Sequence, residues 1–317
     1  MADDTKKHLS KVFDYLKHED PFAKGVAFCG GCPLELLLRF IPKVLGNDII
    51  ITGTPSCSAP VLLGQNTGSW HKLAYYGTLM TGAASSATGL VRYYNRAGIE
   101  NTVVCFNGDG TAADIGFGNL SGAAERNEPF IYICYDNEGY MNTGIQKSST
   151  TPFGARTTTT PVGAAPGSRG KTLRRKNLAL MMAMHKIPYA ATATMSHLED
   201  LAKKLLKAKE MKKRGFCYLH VFCPCPTGWG VATDMSIELC RQAVNTNFFP
   251  LWEAEDGQLR FTREVKKPKP IRVYTDLVKK FSHMSDDEID VLQQDVDYED
   301  CLLKGMSQLA KACPLPE

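Results

Sequence analysis

No stretch of this sequence stays apolar long enough to cross a bilayer: its longest apolar runs, such as residues 178–184, fall far short of the roughly 20 residues a spanning helix needs. The opening MADDTKK has none of the apolar core of a secretory signal, so the expected location is the cytoplasm, with no membrane partner. A large charge imbalance is missing too. With 37 Lys and Arg against 33 Asp and Glu, the net charge of +4 gives no reason to expect nucleic acid. The basic runs at residues 171–176 and 266–269 read as solvated surface, with docking of an acidic protein as the alternative. The seven histidines lack any metal-ligand spacing and read as structural or surface groups, His71 alone falling near likely site loops. No internal repeat is present. What remains is an ordinary globular composition, 44% hydrophobic and 22% charged, long enough to bury a sizeable core.

Three β-rich apolar runs, at residues 48–52, 102–106 and 130–135, are each followed by Gly, Asn, Asp or Pro, as buried strands entering functional loops should be. Helical stretches are expected at 73–94, 173–185 and 198–212, and strands at 189–194 and 216–222. This alternation predicts an α/β fold with a mostly parallel sheet covered by helices on both faces. Residues 148–171, dense in Thr, Gly, Pro and Ser, form a long loop of the kind that is functional or disordered. After Trp229 the pattern changes to a helix at 235–244, a hairpin around Glu255, Asp256 and Gly257, a Pro-Lys linker and helices from Asp286 onward. The expected division is a main domain, 1–230, and a C-terminal extension, 231–317, that packs on it or on a partner.

Asn107-Gly108-Asp109-Gly110 follows one expected strand, and Asp136-Asn137-Glu138-Gly139-Tyr140-Met141-Asn142-Thr143-Gly144 follows the next. Both loops leave carboxyl ends of parallel strands, where open α/β sheets bind ligands. Glycines let backbone approach a diphosphate, and Asp109 with Asn137 offers hard oxygen ligands for Mg²⁺, which favours few protein ligands plus phosphate oxygens. Alone, Gly-Asp-Gly is weak evidence, because Asp-Gly is a common turn.

Eleven cysteines in a chain expected to meet a reducing cytosol argue for thiols or metal ligation over disulfides. Cys29 and Cys32 form a CxxC, Cys57 lies in Pro55-Ser56-Cys57-Ser58, and Cys225 in Cys223-Pro224-Cys225-Pro226-Thr227-Gly228-Trp229. By chemistry alone these four suit either a Cys₄ zinc site or a [4Fe–4S] cluster. Cys223 is an alternative to Cys225. The remaining Cys105, Cys134, Cys217, Cys240, Cys301 and Cys313 read as small buried hydrophobes.

Gly108-Asp109-Gly110 followed by Asn137 matches the thiamine-diphosphate signature, and the sequence from Tyr135 through Ala155 resembles the β subunit of multi-subunit 2-oxoacid:ferredoxin oxidoreductases, closest to the pyruvate and oxalate enzymes. The resemblance covers residues 24–257. It implies thiamine diphosphate bound around Gly108, Asp109, Gly110, Asn137, Gly139, Asn142 and Thr143. It also implies Mg²⁺ held by Asp109, Asn137 and the Gly139 carbonyl, and a [4Fe–4S] cluster on Cys29, Cys32, Cys57 and Cys225. Asn142 is the implied catalytic residue, aimed at the substrate. The implied reaction is oxidative decarboxylation of a small 2-oxoacid, with electrons passing singly through the cluster to ferredoxin. Other subunits would supply the pyrimidine-binding and carboxylate-binding residues and further clusters. The chain departs from the common signature in having Glu138 where a second Asn is usual, Pro33 where Gly often follows the second cluster cysteine, and an unusual segment at 65–70. The last two leave pyruvate and oxalate as equal expectations. Rival readings are a non-oxidative thiamine decarboxylase or synthase subunit and a non-catalytic electron-transfer module.

Overall fold

The computed structural model describes residues 12–62, 71–163 and 169–313, so the segment at 65–70 lies outside the described residues. In chain order the longer elements are α1 (Pro33–Leu45), β1 (Ile49–Gly53), β2 (Ala74–Gly77), α2 (Ala83–Ala97), β3 (Thr102–Gly108), α3 (Phe117–Glu125), β4 (Ile131–Asp136) and α4 (Leu178–Met184). They continue with β5 (Tyr189–Thr194), α5 (Leu198–Met211), β6 (Cys217–Phe222), α6 (Ser236–Asn245), β7 (Leu251–Glu255), β8 (Gln258–Arg263) and α7 (Asp286–Ala312). One sheet holds all eight strands in the order β2-β1-β3-β4-β6-β5-β7-β8. Its first six members run parallel, and β7 and β8 are antiparallel to their neighbours.

Every residue of β1, β4, β5 and β6 is buried, as expected of strands covered on both faces. Side chains alternate between two layers. Val104 and Phe106 face the layer of α1 and α5, with Leu37, Ile41, Leu201 and Leu205. Val103 and Cys105 face α2, α3 and α4 through Ala87, Leu120 and Met182. The α/β, mostly parallel expectation holds.

Several local expectations do not. Residues 73–94 are not one helix: Ala74–Gly77 is an edge strand pairing with β1, and α2 starts only after Gly82. Tyr75 and Tyr76 favour a pleated surface, a preference that helical spacing had masked. The helix expected from 173 begins at Leu178, where the Asn177 side chain accepts the Leu180 N–H at 3.1 Å and caps it. The basic run 171–176 is a solvated face only at residues 172–174. Lys171 is buried and donates to the Ser149 carbonyl at 3.0 Å and to that of Thr151, while Arg175 donates to Phe248 O and Lys176 to Ala113 O. Cys301 and Cys313 are exposed rather than buried.

The hairpin turns where expected, Asp256 and Gly257 both adopting positive φ, 51° and 84°, as the favoured two-residue turn requires. Its strand β7 pairs with β5, so residues after 230 extend the sheet. Instead of several C-terminal helices there is one of 27 residues, started by a reciprocal cap between Ser285 and Glu288.

Candidate active site

β1, β3, β4 and β6 end at the same edge of the sheet, and the order reverses between β1 and β3, the place where ligand crevices open in such sheets. After β3 the chain makes a wide helical turn, Gly110–Ile115, closed by the Gly116 N–H to Thr111 O at 2.8 Å. Gly110 must be glycine: a Cβ there would stand 2.5 Å from the Tyr140 ring, whose hydroxyl donates to Gly110 O at 2.9 Å.

Asp109 is fully buried at the head of this turn. Its Oδ2 accepts from Ser148 Oγ at 2.5 Å and Thr150 Oγ1 at 2.9 Å, and its Oδ1 receives the Asn137 N–H at 3.4 Å. Burial, then the negative Asp136 nearby, pushes the Asp109 carboxyl well above its ordinary range. The Asn137 carboxamide faces Asp109 Oδ1 and Gly139 O, at 3.0 and 2.7 Å. With its NH₂ turned inward it donates to both. With its oxygen inward, three oxygens converge, an arrangement that a cation stabilises. A buried carboxylate with no positive partner among the described residues, and two further oxygens beside it, therefore fits Mg²⁺.

Sequence reasoning missed the support behind this clamp. His220 bridges the Tyr218 hydroxyl, at 2.8 Å, and Asp136 Oδ2, at 2.9 Å, and Thr150 joins Asp136 Oδ1 to Asp109. Burial works against the Asp136 charge, but His220 and the Glu138 N–H hold its carboxyl below the usual value. His220 alternates with apolar neighbours along β6, so its buried position was readable; its partner was not. His71, the one histidine read as falling near the site loops, meets Leu62 O at 3.0 Å and does not line the cleft.

Of the cysteines, Cys29 and Cys32 flank a turn in which Gly31 adopts φ 73° and leaves no room for a Cβ, which would stand 1.9 Å from Thr233 O. Cys32 sits before α1, which starts with Pro33, an ordinary first helical residue. Cys57 follows β1, and Cys225 follows β6 and accepts the Gly228 N–H at 3.1 Å. All six pairs among Cys29, Cys32, Cys57 and Cys225 lie close enough for their thiolate forms to repel one another. Burial first, then that repulsion, raises Cys32 to about 11 and Cys57 to about 12. Among the described residues no three His, Cys, Asp or Glu side chains stand as close as ligands of one metal ion. Cys223 is buried in the core near Cys240, Cys134 and Cys32, its N–H donating to Asp136 O at 2.7 Å.

A cleft of about 100 Å³ is lined by Cys57, Met80, Gly108, Asp109, Asn137 and Asn142, with Gly110, Gly139 and Thr143 at its walls. Asn142 and Thr143 are exposed at its mouth, and Thr143 Oγ1 donates to Gln146 at 2.6 Å. A larger hollow of about 690 Å³, around His197 and Arg263, contains none of the motif residues.

Comparison with known proteins adds a lineage to this geometry. The family described as "Thiamine pyrophosphate enzyme, C-terminal TPP binding domain" matches residues 53–221. The β subunit of NADH-dependent phenylglyoxylate dehydrogenase from Aromatoleum evansii is 43% identical over 88% of this chain, which spans only 62% of that subunit's length. Pyruvate synthase subunit PorB from Methanocaldococcus jannaschii is 40% identical, covering 91% of this chain and 97% of its own. Ketoisovalerate oxidoreductase subunit VorB from Pyrococcus furiosus is 39% identical over 93% of this chain and 94% of its own. A solved 2-oxoglutarate:ferredoxin oxidoreductase from Magnetococcus marinus shares the fold, with TM-score 0.54 at 24% identity over 67% of this chain and 69% of that one.

Proposed function

This chain belongs to the thiamine pyrophosphate enzymes, as a β subunit of the 2-oxoacid:ferredoxin oxidoreductase family, and we propose that it carries both the thiamine diphosphate and a [4Fe–4S] cluster for oxidative decarboxylation of a small 2-oxoacid. The observation that carries this reading is that Cys57 lines the same cleft as Asp109, so a cluster on the four cysteines would adjoin a cofactor held at the carboxylate. When bound, thiamine diphosphate supplies an electron sink for decarboxylation, and the cluster accepts electrons one at a time.

The chain's own residues would then work as follows. Asp109 Oδ1, the Asn137 carboxamide oxygen and Gly139 O would hold Mg²⁺, with Ser148 and Thr150 fixing the second oxygen of Asp109. Asn142, exposed at the cleft mouth, is free to donate a hydrogen bond to the substrate. Cys29, Cys32, Cys57 and Cys225, mutual neighbours at this edge of the sheet, would ligate the cluster. The cleft's volume of about 100 Å³ lies below the roughly 300–1,000 Å³ of a complete small-molecule site. Leu79, beside the cleft residue Met80, is 74% exposed. Both facts support a partner subunit that closes the site and grips the substrate carboxylate, with ferredoxin as electron acceptor.

Pyruvate and ketoisovalerate are both candidate substrates, because relatives named for each match nearly end to end. Pro33, one motive for oxalate, is accounted for by helix initiation. Anaerobically isolated complex should be brown and contain about four iron on this chain with one thiamine diphosphate, as a Cys₄ cluster requires. Cys225→Ser should lower this chain's iron while Cys223→Ser leaves it intact. A colourless, thiamine-containing complex would point to the non-oxidative class, and retained iron in Cys225→Ser would remove the assigned ligand set.

A further inference from the structure

The Asn137 loop carries a carboxylate, Glu138, where the common thiamine signature has a neutral amide. Glu138 is 1% exposed, sits at φ 64°, and is pinned on its backbone by Thr151 Oγ1 donating to its carbonyl at 2.6 Å and by its own N–H donating to Asp136 Oδ1 at 2.8 Å. A charge this deep demands a counter-charge. It comes from 142 residues along the chain: Lys280 Nζ donates to Glu138 Oε2, and the lysine side chain is also 1% exposed.

The lysine is itself held in a box. Its ammonium lies 4.4 Å from the centre of the Trp229 ring, 4.9 Å from Phe281 and 5.9 Å from Tyr274. Trp229 in turn donates its indole N–H to Asn137 O at 2.8 Å, and it follows Cys225 by one helical turn, Pro226–Trp229. Lys280 O accepts the Arg156 N–H at 3.1 Å, tying the long loop to the same point. One side chain therefore touches both the segment bearing Asn137 and Gly139 and the tryptophan that follows the cysteine loop.

Resting on the function proposed above, we propose that Lys280 is a positioning residue for the Asn137–Gly139 segment: its ion pair with Glu138 sets the carbonyl and carboxamide oxygens for magnesium, so residues 271–284 form part of the cofactor site without touching the cofactor. Removing the lysine alone leaves the buried Glu138 carboxyl without its partner beside Asn137, and the loop must shift to satisfy it. Removing both charges relieves that demand.

The test uses the complete complex stripped of thiamine diphosphate, with magnesium-dependent rebinding followed by calorimetry and iron measured alongside. Lys280→Met should weaken rebinding on the order of 10- to 100-fold, the usual effect of losing a group behind a metal site. Glu138→Gln combined with Lys280→Met should restore affinity to within about threefold, since no unpaired charge then remains buried. Iron should stay at the parent level in both. Parent-like rebinding by Lys280→Met overturns the role. If that variant does not fold, the double variant decides alone: folded yet tenfold or more weaker, it overturns the proposal, and near-parent affinity supports it. A parent complex that never binds thiamine diphosphate overturns the functional reading as well, and the Lys280 role with it.

Discussion

At the scale of single residues, the site is governed by one buried carboxylate and by what stands behind it. Among the described residues Asp109 meets no cation: its oxygens face the hydroxyls of Ser148 and Thr150 and the backbone N–H and carboxamide of Asn137. Those hydroxyls orient Oδ1 by occupying Oδ2. Ser148→Ala together with Thr150→Ala should therefore raise the magnesium concentration for half-maximal thiamine diphosphate binding roughly 10- to 100-fold, a range typical of groups that orient a metal ligand. Titrating the stripped complex with Mg²⁺ checks this, and an unchanged midpoint would mean that the hydroxyls only fill space. Asp109 and Asn137 were readable from their spacing and strand context. Ser148 and Thr150 lay in a stretch legible only as a polar loop, because nothing local shows which carboxylate a loop hydroxyl meets.

At the scale of elements, α5 opens at His197, beside the 690 Å³ hollow. Burial, then the nearby Arg263, lowers His197 to about 4 from an ordinary 6.5, although Asp200 pulls the other way. Between those values the unfolded chain binds more protons than the folded one, so this group's stability is complete above pH 6.5 and is lost as the pH falls toward 4. Because the ring is partly open to solvent, the loss is about 2 kcal/mol or less. Melting curves at pH 7 and pH 5 should show a smaller drop for His197→Gln than for the parent; equal drops would exclude His197 as the source. The elements themselves were mostly legible. β3, β4, β5 and β6 appear as apolar runs with turn residues after them, because a strand buried on both faces must be apolar throughout. β2 was not, since an edge strand of four residues carries too little pattern to compete with the helical spacing around it.

At the scale of the whole molecule, one edge of one sheet gathers loops that start after β1, β3, β4 and β6. On the function proposed above, these loops would form a floor for diphosphate and metal, and the open cleft would be closed by a second subunit. Alone, it should reduce a viologen dye with pyruvate at less than about a hundredth of the rate of the reassembled complex, because the missing orienting contacts are of the kind worth several kcal/mol. A turnover assay with pyruvate, ketoisovalerate, phenylglyoxylate and oxalate, run with and without the partner subunits, measures this directly. Full activity without partners would refute the incomplete-site reading.

The amino-acid order alone determined the α/β class, the Asp109 and Asn137 pair and the CxxC, because each is written in periodicity or in short spacings that the local backbone must satisfy. Only the tertiary structure decided that Cys57 adjoins Asp109, that Cys225 stands near Cys29, Cys32 and Cys57 while Cys223 is buried in the core near Cys32, and that β7 and β8 extend the sheet. It also decided that Lys280 neutralises Glu138. The physical reason is common to all four. Contacts between distant segments depend on which surfaces pack together to bury apolar area and pair buried charge, and that competition is settled over the whole folded chain.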